Sequence, residues 1–121
     1  MVVDGDMASR TESRLFLEMN GYEVIELSDG LEAIGMLDLS PSALDLVVLD
    51  YEMPFLSGLE TLQALHVFHP GLKALLCIAG GRTAGADALP ERTVLLAKPF
   101  TSEDLAESLD RLQAHSSRSD E

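Results

Sequence analysis

Three apolar runs in this chain end in charged side chains. Leu46-Val47-Val48-Leu49 is apolar at every position and stops at Asp50, which is followed by the chain-breaking residues Met53-Pro54 and Ser57-Gly58. Val2-Val3 runs into Asp4-Gly5-Asp6, and Val94 to Ala97 runs into Lys98-Pro99-Phe100. A short run that is apolar throughout fits a strand buried on both faces, as in a parallel sheet covered by helices. A carboxylate at the carboxyl end of such a strand lies in the crevice where open α/β sheets bind ligands. Asp4 and Asp6, two carboxylates two apart after a strand, are in addition a legitimate arrangement for covalent catalysis. Asp50 on its own has a plainer explanation, an aspartate that caps a turn. The surrounding elements have to decide.

Those elements alternate. After the first strand a helix is expected from about Ala8 to Asn20, with Leu15 and Met19 four apart and Gly21 as its stop. Tyr22 to Leu27 alternates like an edge strand. Ser28-Asp29-Gly30 then opens a second helix, with Leu31, Ile34 and Leu37 at helical spacing. Ser57 is a good N-cap for a third helix carrying Leu59, Leu62 and Leu65, which ends near His69-Pro70-Gly71. Ala74 to Ile78 and Val94 to Ala97 are the fourth and fifth strands. Thr101 caps a last helix bearing Leu105, Leu109 and Leu112, with Asp104 favourably placed in its first turn. Between strands four and five, Gly80 through Pro90 holds three glycines and a proline, so the helix expected there is short and irregular. The pattern predicts an α/β fold of three layers, with a doubly wound parallel sheet.

Bulk composition narrows the function. The 121 residues make one domain, expected over 1–114, with a Ser-rich, charged and flexible tail over 115–121. A formal charge of −13 argues against direct contact with nucleic acid and favours cations or a basic protein surface. The single cysteine, Cys77, lies in an apolar run, so it reads as a core residue of a reducing, cytoplasmic compartment. No apolar run spans a bilayer and no signal peptide is present, so no membrane insertion is expected. The abrupt start at Met1-Val2-Val3 points to a trimmed chain or a piece of a longer protein. His66 and His69 lie three apart on one helix, but nothing nearby supplies further metal ligands, and they read as surface residues.

Four segments occur in an order and spacing that together are specific: Leu49-Asp50-Tyr51-Glu52-Met53-Pro54 with Gly58, Gly21-Tyr22, Asp29-Gly30-Leu31-Glu32-Ala33, and Leu96-Ala97-Lys98-Pro99-Phe100-Thr101. On these segments the chain resembles the receiver domain of two-component response regulators, from Val2 to about Leu112. The Gly71-Leu72-Lys73 lead-in and the Leu96 to Thr101 segment further resemble receivers attached to hybrid histidine kinases. The resemblance implies a flavodoxin-like sheet in the order 2-1-3-4-5, in which strands one and three flank the switch point and bring Asp4 beside Asp50. It implies that Asp50 accepts a phosphoryl group from a sensor histidine kinase or a phosphotransfer protein. Lys98 would then meet the phosphoryl oxygens. Mg²⁺ would be held by Asp4, Asp50 and the backbone carbonyl of Glu52. It also implies a cis Lys98–Pro99 peptide. Such a domain is no enzyme beyond catalysing its own phosphorylation and dephosphorylation.

The departures from that pattern matter as much. The second acid that receivers carry after strand one, a direct metal ligand, is Gly5 here. Asp6 could replace it only if the loop deforms; otherwise it starts the first helix. The hydroxyl residue at the end of strand four is Ile78, and the aromatic switch residue of strand five is Leu95. Metal binding, phosphoryl sensing and read-out are each weakened at one residue. Three readings follow: a phosphorylated receiver with weak Mg²⁺ binding and poor switching, a degenerate receiver that binds proteins without phosphoryl transfer, or, from Val3-Asp4-Gly5-Asp6, a phosphatase resembling the haloacid dehalogenases with Asp4 as nucleophile.

Overall fold

The computed structural model describes residues 1–39, 44–79 and 89–119. Its strands are β1 (Val2–Val3), β2 (Glu26–Leu27), β3 (Leu46–Asp50), β4 (Lys73–Ala79) and β5 (Thr93–Lys98), and its helices are α1 (Met7–Met19), α2 (Gly30–Leu39), α3 (Gly58–Phe68) and α4 (Ser102–Ser119). The strands pair in parallel in the order β2-β1-β3-β4-β5, the doubly wound sheet that the alternation predicts. The irregular helix expected between β4 and β5 falls on residues 80–88, outside the described residues.

β3 is apolar throughout because both of its faces are covered. Val47 and Leu49 point into one cluster with Leu37, Leu62, Leu65 and Leu76. Leu46 and Val48 point into the other, with Leu17, Cys77, Leu105 and Leu109. Alternate side chains of one strand thus join two cores, and the strand is held at the centre of the sheet.

The helix starts follow from their caps. Ser57 Oγ accepts from the Glu60 N–H and the Glu60 carboxylate accepts from the Ser57 N–H, a reciprocal box. Thr101 and Asp104 repeat the arrangement at α4. Gly21, at φ +87°, ends α1 in the left-handed region, where a glycine is the cheapest residue.

Four local expectations need correcting. β2 covers only Glu26–Leu27 instead of Tyr22 to Leu27, because β1 offers only Val2 and Val3 to pair with it. Leu15 and Met19 of α1 face solvent, and Ser13 and Leu17 are the buried residues of that helix. α4 runs through Ser119, beyond the tail boundary expected near residue 115. His66 and His69 are half-buried, each with Nε2 2.9 Å from a backbone carbonyl oxygen, of Leu72 and Leu44 respectively.

Candidate functional site

Sheet register assembles the charged residues. Val3 pairs with Leu49, so the next residues, Asp4 and Asp50, leave neighbouring strands side by side. Lys98 pairs with Ala79, which puts it across β4 from β3. Its flexible stem brings Nζ back over the sheet edge to 3.2 Å from Asp4 Oδ2 and 3.4 Å from Asp50 Oδ1. Nζ also donates to Ser9 Oγ at 3.0 Å. One amine therefore joins β1, β3 and α1. The Lys98–Pro99 peptide is cis, as the resemblance implies.

Each acid is held from its own side. Asp4 is only 4% exposed; its Oδ1 accepts the Asp6 N–H at 2.9 Å and its backbone carbonyl accepts Arg10 Nη1 at 2.8 Å. Arg10 in turn pairs with Glu26 at 3.4 Å. The turn after Asp50 is fixed by the Tyr51 N–H donating to Cys77 at 2.7 Å and the Gly58 N–H donating to Tyr51 at 2.8 Å. Gly58 has to be glycine. A Cβ there would overlap the Asp50 carbonyl oxygen and lie 2.8 Å from Leu76 Cδ1 and 2.9 Å from Tyr51 Cα.

The electrostatics follow from crowding. Burial raises the pKa of Asp50, and the neighbouring Asp4 charge raises it further; Lys98 and the Glu52 N–H, which bonds the carboxylate, oppose both. Burial alone would lower the pKa of Lys98, but Asp4 and Asp50 outweigh it, and the amine stands above the ordinary lysine value. The site thus makes Asp50 harder to ionise than a free aspartate and keeps Lys98 charged. Cys77, directly beside Asp50 in the sheet, is pushed by burial to about 12, so it is an inert core thiol.

The donor set suits Mg²⁺, which is commonly bound through one or two carboxylates with waters completing its shell. Asp4 and Asp50 supply two, and no group of three or more His, Cys, Asp or Glu among the described residues is arranged to hold a metal. Gly5 leaves the neighbouring place open: a Cβ there would meet only Ser28 O at 3.7 Å and Pro54 Cδ at 3.8 Å. Asp6 does not fill it. Its carboxylate caps α1, accepting the Ser9 N–H at 2.9 Å. Ile78 is buried and Leu95 half-buried against the core, so the structure supplies neither a hydroxyl nor a ring at those two positions. Ser9 is the contact that sequence reading missed. Nothing local distinguishes it from any other serine in a first helical turn.

The family model that matches this chain is the response regulator receiver domain, over residues 1–110. A response regulator, MprA of Mycobacterium sp. (strain KMS), is 38% identical over 109 residues, covering 87% of this chain and 46% of its own length. The chain thus spans about half the length of the curated relatives it matches. Among solved structures, a CheY-like receiver domain protein from Methanospirillum hungatei JF-1 superimposes with a TM-score of 0.77 at 26% identity, covering 97% of this chain and 95% of that one. The receiver domain from the hybrid histidine kinase CckA does so with a TM-score of 0.76 at 25% identity, covering 92% and 94%. The likeness to a phosphatase is not sustained, because Asp6 is turned away to cap the helix and the receiver match takes in both Asp4 and Asp50.

Proposed function

This chain belongs to the response regulator receiver family, and from that premise we propose that Asp50 accepts a phosphoryl group from a histidine kinase or a phosphotransfer protein in the cytoplasm. The observation that carries this reading is the Lys98 ammonium lying between the Asp4 and Asp50 carboxylates. In the transfer an Asp50 carboxylate oxygen bonds to phosphorus, the phosphorus–nitrogen bond of the donor breaks, and its electron pair returns to the donor imidazole. Lys98 neutralises charge on the phosphoryl oxygens, and the Glu52 N–H holds the loop beside them. Asp4, Asp50 and the Glu52 carbonyl are the residues that would hold Mg²⁺. When bound, the ion supplies further charge neutralisation on the transferring group. The domain itself does no other chemistry. No helix among the described residues is long and apolar enough to cross a membrane, and a chain of net charge −13 is a poor partner for nucleic acid, so output runs through protein contacts.

The test is incubation with acetyl phosphate and Mg²⁺, followed by intact mass and peptide mapping. One phosphoryl group on Asp50, absent in Asp50→Asn, is the expected result. A folded chain that stays unlabelled favours the second reading, a phosphorylation-independent protein-binding module, for which Gly5 and the buried aliphatic Ile78 are the supporting observations.

A further inference from the structure

We propose that Ser9 is a positioning residue for the Lys98 amine, a hydroxyl anchor on α1 that keeps the ammonium over the acidic site when its two carboxylates are engaged elsewhere. The inference deepens the receiver reading and rests on it for its kinetic arm alone.

Lys98 carries a long flexible side chain that is 25% exposed, so it can swing into water. Three groups hold its amine: Asp4 Oδ2 at 3.2 Å, Asp50 Oδ1 at 3.4 Å and Ser9 Oγ at 3.0 Å. Two of these are the groups a cation or a phosphoryl group would take. A divalent ion on Asp4 and Asp50 draws their charge away from the amine. Ser9 carries no charge, so such an ion does not compete for it. The hydroxyl is itself fixed in place. The Ser9 N–H donates to the Asp6 cap and so ties the residue into the first turn of α1, while the neighbouring Arg10 is bonded to the Asp4 carbonyl. Ile78 offers no hydroxyl from the other side. Ser9 and Lys98 also line one groove of about 420 Å³ together with Asp6, Ala79 and Pro99, so the contact sits at an approach to the site.

The experiment uses the full chain with Ser9→Ala and Ser9→Thr. The first readout is side-chain order at Lys98 Cε, from ¹³C relaxation in unphosphorylated protein with and without Mg²⁺. Ser9→Ala is expected to loosen Lys98, most of all with Mg²⁺ present, and Ser9→Thr to restore it. The second readout is the rate of labelling by acetyl phosphate, expected to fall roughly tenfold in Ser9→Ala, the scale of one hydrogen bond to a charged group, and to recover in Ser9→Thr. Unchanged Lys98 order in Ser9→Ala overturns the proposal, whether or not the chain is ever phosphorylated. Loosened Lys98 in a chain that no donor labels supports the anchor and counts against the receiver chemistry alone.

Discussion

The carboxyl ends of β1 and β3 differ sharply from the ends of β4 and β5. At the first pair, two carboxylates lie side by side, and the amine that reaches across from β5 meets both. At the second, Ile78 is buried and aliphatic, and Leu95 is half-buried against the core. The first region, joined by the Lys98 amine that ends β5, can hold charge, whereas the side chains of Ile78 and Leu95 have no polar atom to bond to it. In a two-state element a ligand shifts the balance only through interactions that differ between the states. On the proposed function, charge capture rests on Asp4, Asp50 and Lys98 and read-out on the positions of Ile78 and Leu95, so each should be open to being broken or added alone.

The two glycines flanking the acidic end give the largest effects. Gly58→Val puts a side chain into the Asp50 carbonyl and Leu76. It should cost about 3 kcal/mol, since overpacking of a filled site costs about 1–3 kcal/mol and backbone has to move here. A urea titration would show it, and an unchanged midpoint would mean the turn after Asp50 yields easily. Gly5→Asp meets only ordinary contacts at 3.7 and 3.8 Å, so the fold should survive. A third carboxylate should tighten Mg²⁺ by roughly tenfold or more, because an added charge at an effective dielectric near 20 is worth a few kcal/mol before repulsion from its neighbours is subtracted. If calorimetric titration shows no change, another oxygen already does that work.

A subtler effect sharpens the charge side by pH. The folded pKa of Asp50 is raised above its ordinary 3.8. Above pH 3.8, then, the folded state binds more protons at this group than the unfolded state does, and stability falls as pH rises through the folded pKa. Asp50→Asn removes that loss. Thermal melts should show the variant gaining on the parent from about pH 3.8 upward, with a constant margin once the folded Asp50 is fully ionised. A margin that shrinks with rising pH would reverse the assignment. Lys98 works in the opposite sense: its raised pKa supports the fold below the ordinary value of 10.5, and that support is lost as pH climbs through the folded one.

The smallest effects concern read-out. With a beryllofluoride mimic on Asp50, amide shifts should stay within the loops around Asp4, Asp50 and Lys98. Shifts running through Leu89 to Leu95 and into α4 would show that the apolar strand ends do transmit. Ile78→Thr with Leu95→Tyr supplies a hydroxyl and a ring, at about 1–2 kcal/mol for a buried hydroxyl that lacks a partner in the resting state. Shifts reaching β5 in that variant alone would confirm that the two regions are separable.

Much of this was legible in the chain itself. The all-apolar Leu46 to Leu49 run marks a strand covered on both faces, and β3 joins two cores. Ser57–Glu60 and Thr101–Asp104 mark helix starts, because a cap is a contact between residues three apart and needs no tertiary context. Which face of α1 is buried was not legible. Leu15 and Met19 share the helical period, yet Leu17 meets the sheet, because rotation about a helix axis is settled by the partner it packs on.

The site divides in the same way. Residue types and their places at strand ends nominated Asp4, Asp50 and Lys98, and left Asp6 open between ligand and cap. The structure turned Asp6 to the helix, placed the amine of Lys98 against an acid 94 residues away, and brought Ser9 to it. It also set the Gly58 backbone against Asp50 closely enough to exclude a Cβ. These contacts depend on strand order and register, which join residues far apart in the chain. Local patterns encode the elements, whereas the meeting of side chains from β1, β3, β5 and α1 exists only once the sheet has assembled.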